Sequence, residues 1–271
     1  MELSDVVDTD RYPFSEAESP KRAALVARLS SELAAQQYCS LPGFIRPEAR
    51  ARAVAEAEAA LPEANHNNAQ RNCYLHRQPD PALPADHPRN IMLRSSVQMV
   101  AYDQLPAGSP MRTLYHAGVF RRFIADVVGE PVLYDSADPY QPVNLLCYRT
   151  GDQSAWHFDS DNAFTMTLML QAPEAGGAFR MAPNTRSDTD QQYDHVRDVL
   201  QGRRPAEVVE VAREEGALCL FRGSNSLHSV SPVIGPRMRV MAVFVYERQP
   251  GVVGDPKVNA TIYGPRVAAK L

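Results

Sequence analysis

The stretch Trp156-His157-Phe158-Asp159 decides how this chain is read. It is answered downstream by Asn225-Ser226-Leu227-His228-Ser229, and then by Arg239 at the head of Val240-Met241-Ala242-Val243-Phe244-Val245-Tyr246. In a strand, side chains at i and i+2 share a face, so His157 and Asp159 point into one cavity while Phe158 turns away. His228 has to arrive from another strand, and the long separation is what a chain travelling around a β-barrel produces. Two imidazoles and one carboxylate make a three-ligand face for a divalent metal, with the opposite positions left open. Arg239 adds a guanidinium fork, suited to gripping a carboxylate in a partly buried pocket. Arg237 is its alternative should Arg239 prove exposed. An isolated H-x-D is a weak signal. The sequence H-x-D, a Gly176-Gly177 turn, a distal histidine and a following arginine is far more specific, because several levels agree.

These residues resemble the Fe(II)/2-oxoglutarate-dependent oxygenases over about residues 142–250. The resemblance implies an α+β chain built on a double-stranded β-helix, a jelly-roll or cupin-like barrel, with N-terminal helices packed against its major sheet. Within the superfamily the text is similar to a small bacterial group that hydroxylates or chlorinates free amino acids, lysine among them. The matching stretches are His157-Phe158-Asp159, Phe164 through Gly177, Pro183-Asn184-Thr185-Arg186-Ser187-Asp188 and Ala242 through Arg248. The resemblance implies Fe(II) held by His157, Asp159 and His228, 2-oxoglutarate anchored by Arg239, and O2 as oxidant. Halogenases of the group carry glycine where this chain has Asp159. Glycine leaves room for chloride and a carboxylate fills it, so the resemblance points to a hydroxylase. Ser160 stands where the lysine-specific pattern has an acid and Ile262 where it has tryptophan, which turns the expectation toward another free amino acid or a close derivative.

Further candidates follow strand by strand. Asn144 and Tyr148 share a face, and the family often sets an amide and a phenol there against co-substrate or substrate. Thr165 and Thr167 oppose Met166 and Leu168, so Thr167 is a co-substrate candidate, although Thr is also an ordinary strand former. In the strand expected from Ile91 to Leu105, Met92, Arg94, Ser96 and Gln98 share one face. The family's upstream arginine, which meets the substrate carboxylate, maps onto Arg94. Asp135 and Asp138 are candidates for a substrate amine, with a turn-forming role as the alternative. Ser160 and Tyr263 complete the expected substrate contacts.

The bulk properties fit a small-molecule enzyme. With 271 residues, 44% hydrophobic and 22% charged, the chain can bury one substantial core. A formal charge of −4 without any Lys/Arg-rich block gives no electrostatic footprint for nucleic acid or anionic membrane. Four cysteines lack C-x-x-C spacing, and neither an export signal nor an eighteen-residue apolar run is present, so a cytoplasmic location is expected. One domain is expected over residues 1–271, in three parts. Residues 1–90 form a leader, two helices and a loop; 91–250 form the barrel with a supporting helix from Ser109 to Val128; 251–271 form a segment over the site mouth. Residues 65–88, punctuated by prolines, read as a long loop and candidate lid. Three other readings stay open: desaturation or cyclisation in place of hydroxylation, a peptide or carrier-bound substrate, and a non-catalytic cupin-like metal sensor. A homodimer is compatible with the sequence, which does not fix the oligomeric state.

Overall fold

Ser19-Pro20 and Arg46-Pro47 each set a proline at the first turn of a helix, where its missing N–H costs nothing. The computed structural model, which describes residues 1–160 and 164–270, accordingly has α1 at Pro20–Gln36 and α2 at Pro47–Ala60. Strands β1 (Tyr38–Leu41), β2 (Asn65–Arg71) and β3 (Leu93–Val100) lie around them. The supporting helix is broken in two at Ala117, whose ψ of 103° is not helical, giving α3 (Pro110–His116) and α4 (Gly118–Val128). The barrel follows as β4 (Val143–Tyr148), β5 (Ser154–His157), β6 (Thr165–Gln171), β7 (Phe179–Ala182), β8 (Val209–Glu210), β9 (Leu218–Phe221), β10 (Leu227–Val230) and β11 (Arg239–Phe244). Helix α5 (Tyr193–Leu200) is inserted between β7 and β8, and α6 (Pro256–Tyr263) follows the last strand.

The strands form two antiparallel sheets. The larger runs β1-β9-β6-β11-β4-β3-β2 and the smaller β8-β7-β10-β5. Together they make a double-stranded β-helix with helices covering the larger sheet, as expected. Period-two alternation sorts the side chains. Val143, Leu145 and Cys147 on β4, Met166, Leu168 and Leu170 on β6, and Val240, Ala242 and Phe244 on β11 face the helices, in one core with Leu29, Leu33, Phe120, Phe123 and Ile124. The residues between them, Asn144, Leu146 and Tyr148, Thr165 and Thr167, and Arg239, Met241 and Val243, face a cavity between the sheets. Burying a large aliphatic or aromatic side chain contributes about 1.5–3 kcal/mol, so slipping a strand by one residue would exchange this core for polar groups.

Two expectations change. Residues 65–71 are an edge strand, not a loop: Asn65 to Arg71 pair in register with Met99 to Leu93. The stretch Asn-His-Asn-Asn-Ala-Gln-Arg carries no apolar alternation: its even-numbered residues meet solvent, and Asn67, Ala69 and Arg71 face the cavity. The first twenty residues, expected to be an extended leader, contain a one-turn helix, Leu3–Val6, and bury Val6, Val7, Tyr12 and Phe14. Phe14 packs on Phe44, Phe120 and Phe123, with ring centroids 5.5–5.8 Å apart.

Candidate metal centre and its cavity

His157 ends β5 and His228 lies directly opposite it on β10, so sheet register sets the two imidazoles side by side with centroids 4.3 Å apart. Asp159 continues the same face beyond the strand. Its Oδ1 lies 3.7 Å from His157 Nε2 and 3.5 Å from His228 Nε2. One ligand atom from each of the three lies within 4.8 Å of the others. The histidine tautomers follow from their second contacts. His157 Nδ1 is 2.7 Å from the Ala155 carbonyl and His228 Nδ1 2.9 Å from that of Ser226. A carbonyl can only accept, so each Nδ1 carries the proton and each Nε2 offers its lone pair to the common point. This donor set fits a divalent metal.

Electrostatics keep the ligands in their metal-binding protonation states. Burial, reinforced by the neighbouring His228, pushes the His157 pKa down to about 4. Burial alone would raise that of Asp159, but the two imidazoles and the Thr165 hydroxyl hold it well below the usual carboxylate range. Thr165 Oγ1 donates to Asp159 Oδ2, leaving Oδ1 to face the histidines. Asp159 N–H donates to the Gly223 carbonyl at 3.0 Å. A Cβ at Gly223 would stand 2.0 Å from Asp159 Oδ2, so glycine is required for the carboxylate to occupy this place.

The cavity beside the triad has a volume of about 440 Å³. Arg239 reaches into it from the start of β11, 1% exposed, with Tyr148 beneath its guanidinium at 5.2 Å. Its Nε has no hydrogen-bond partner among the described residues, and burial draws its pKa down to about 10. Gly177, at φ +62°, clears its path, since a Cβ there would lie 3.0 Å from Arg239 Cδ. Arg237 instead pairs with Glu215 at 2.6 Å. Asn144 and Tyr148 line the cavity, with Asn144 Oδ1 buried and unpartnered. Thr167, Ser160 and Tyr263 line it too.

Two expected substrate contacts lie elsewhere. Arg94 is exposed on the outer face of β3 and donates to Asn68 at 2.9 Å; Ser95, Val97 and Met99, the opposite parity, face the cavity. Asp138 is buried but occupied by its own chain. Its oxygens accept from the N–H groups of Tyr140, Gln141 and Gly254 and from Asn259 Nδ2 at 2.6–3.0 Å, so it caps the mouth loop and does not line the cavity. Asp135 is likewise taken up, by His116 and Arg121.

Two arginines in the cavity went unread in the sequence. Arg71, at the end of β2, lines the mouth, and its guanidinium makes no ion pair or hydrogen bond with any described residue; burial and the nearby Arg77 lower its pKa. Its only sequence signal was parity with Asn67 and Ala69, legible once residues 65–71 are a strand. Arg213, in the connection between β8 and β9, donates from Nη1 to Thr167 Oγ1 at 2.8 Å. In Val211-Ala212-Arg213-Glu214-Glu215-Gly216 it looks like a turn residue.

Several solved structures share the fold. The non-heme alpha-ketoglutarate-dependent carbocyclase SnoK of nogalamycin biosynthesis is 14% identical, with a TM-score of 0.57 over 86% of this chain and 85% of its own. The epimerase SnoN, solved with Fe3+, alpha-ketoglutarate and nogalamycin RO, is 16% identical, with a TM-score of 0.55 over 83% and 84%. EctD from S. alaskensis, solved with 2-oxoglutarate and 5-hydroxyectoine, is 17% identical, with a TM-score of 0.51 over 82% and 75%. No curated protein matches the sequence. A family model described as HalD, Halogenase D, matches residues 21–254, and with most of its length so matched the chain belongs to the halogenase D family.

Proposed function

We propose that this chain is an Fe(II)/2-oxoglutarate-dependent oxygenase that hydroxylates an unactivated C–H bond of a small carboxylate-bearing substrate, a free amino acid or close derivative. The observation that carries the hydroxylase reading is Asp159. Its Oδ1 faces both histidines from the position that glycine holds in the halogenases the sequence resembles. A third protein ligand there takes the space a halide needs. Bound iron and 2-oxo acid, with O2, supply the oxidising power for C–H cleavage and release succinate and CO2.

The protein's share is position and charge. His157, Asp159 and His228 hold the metal, with the Thr165 hydroxyl fixing which carboxylate oxygen faces it. Arg239 offers its unpartnered Nε to the remote carboxylate of the co-substrate, and Asn144, Tyr148 and Thr167 line the path to it. Arg71 takes the role expected of Arg94, an unpaired cation at the mouth for the substrate carboxylate. Among the described cavity-lining residues Asp159 is the one acid. Four buried, unbridged cysteines suit a reducing cytoplasm, and no helix is long and apolar enough to cross a membrane.

The test is an anaerobic titration with Fe(II) and 2-oxoglutarate, followed by O2 and succinate measurement across free amino acids with chloride present. The reading expects stimulation by one compound and a product that gains oxygen. A chlorinated product would replace it with halogenation. Failure of the folded protein to form the coloured iron chelate would remove the oxygenase reading.

A further inference from the structure

Among the described residues the half-buried Arg213 has no counterion. Its guanidinium lies 4.2 Å from the Phe179 ring centroid and 5.5 Å from that of Phe221. The same two rings pack on His228, at 5.8 and 5.0 Å. Nη1 is committed to Thr167, while Nε and Nη2 are buried with no partner among the described residues. The adjacent Glu215 is engaged by Arg50 and Arg237. Stacking on aromatic faces offsets part of the cost of burying this charge, but two unpaired N–H groups in a buried site are a large penalty unless something accepts from them.

The strand ladder locates Arg213. The inward residues of β6 run from Thr165, which holds Asp159, to Thr167, which holds Arg213, about 7 Å further along. Arg239 enters the same cavity from β11 with its own Nε unpartnered. Arg239, buried, and Arg213, half-buried with its Nε and Nη2 enclosed, therefore line one space that also holds the metal ligands.

We propose that Arg213 is a second cation for the co-substrate: with Thr167 and Arg239 it receives the carboxylate remote from the metal, and it makes the site select a dicarboxylic 2-oxo acid over a monocarboxylic one. This rests on the reading that 2-oxoglutarate is the co-substrate, and the experiment separates the two. Binding of 2-oxoglutarate and of 2-oxopentanoate, which has the same chain length and a methyl group in place of the remote carboxylate, is measured anaerobically on the Fe(II)-loaded protein. Wild type, Arg213→Gln and Arg213→Lys are compared, with thermal melting of each. Wild type is expected to prefer the diacid. Arg213→Gln is expected to weaken 2-oxoglutarate about 10- to 100-fold and leave 2-oxopentanoate nearly unchanged, as loss of a buried charged hydrogen bond predicts. Arg213→Lys keeps a cation and recovers part of the preference, even where Arg213→Gln folds poorly. Equal weakening of both acids makes Arg213 a wall residue and overturns the proposal. Full retention of the diacid preference in Arg213→Gln overturns it while leaving the co-substrate reading intact. Absence of any preference in wild type removes both.

Discussion

Gly223→Ala is the smallest change that reaches the metal centre without replacing a ligand. Gly223 is not among the positive-φ glycines, so its backbone accepts alanine. The new methyl carbon would stand 2.0 Å from Asp159 Oδ2, 2.9 Å from its Cγ and 2.6 Å from Thr165 Oγ1. Ordinary contact begins near 3.4 Å, so the carboxylate must retreat by about 1.4 Å. A carboxylate is a rigid plate. Moving Oδ2 swings Oδ1 off its position opposite the two Nε2 atoms and breaks the bond from Thr165. Disturbing the support of a ligand in this way costs roughly 10- to 100-fold in metal affinity, or about 1.4–2.8 kcal/mol. The fold itself loses little, on the order of 1 kcal/mol, because a side-chain tip gives way and not the backbone. The chain has one tryptophan, Trp156, next to His157 and on the cavity wall. Anaerobic titration of the metal-free protein with Mn(II) or Fe(II), read by Trp156 fluorescence and paired with thermal melts, measures both quantities. Wild-type metal affinity in a normally melting Gly223→Ala protein would refute the claim that this close approach holds Asp159 in place.

Other substitutions and conditions test separate parts of the reading. Arg71→Gln is expected to raise the substrate KM about 10-fold or more with little change for 2-oxoglutarate, whereas Arg94→Gln, on the outer face, leaves both within about 2-fold; steady-state kinetics decides, and the reverse pattern returns the role to Arg94. The four cysteines are buried and burial raises each thiol pKa, to about 12 for Cys73 and Cys147, so thiolate is scarce at pH 8. Ellman's reagent is expected to titrate none of them in the folded protein and all of them after denaturation. With its pKa near 4, folded His157 stays neutral where the unfolded chain already binds a proton near pH 6.5. The unfolded state then holds more protons between pH 6.5 and 4, and the metal-free protein loses stability as pH falls through that window. Chemical denaturation should show a loss of about 3 kcal/mol that His157→Gln lacks, and equal pH dependence of the two proteins would contradict the burial of His157.

Strand periodicity carried most of the barrel. Alternation put Asn144 with Tyr148 and Thr165 with Thr167 on shared faces, and the family resemblance turned those faces toward the co-substrate. Arg239 was legible as a charge at the head of a hydrophobic strand. The method failed where both faces of a strand are polar. Asn65 to Arg71 has no hydrophobic face to read, so Arg71 went unseen and, with no partner strand to set parity, Arg94 was turned inward. Arg213 was hidden because its role depends on which rings surround a connection, and ring contacts across sheets leave no local pattern. Asp138 shows the opposite error, an acid read as a substrate contact when its lone pairs are consumed by backbone N–H groups of its own loop.

The strand β2 and the helix α6 are tied together across the mouth: Asn65 and Asn67 donate to the Ile262 carbonyl at 2.8 and 2.7 Å. Neither element carries the histidines or Arg239, although β2 is the edge strand of the larger sheet. On the proposed reading, in which Arg71 and Tyr263 meet the substrate, chemistry and recognition reside in separable parts of the chain. Drift in the outer pair can change which molecule is admitted without disturbing how iron is held, giving lineages a route to new substrates with the same reactive core.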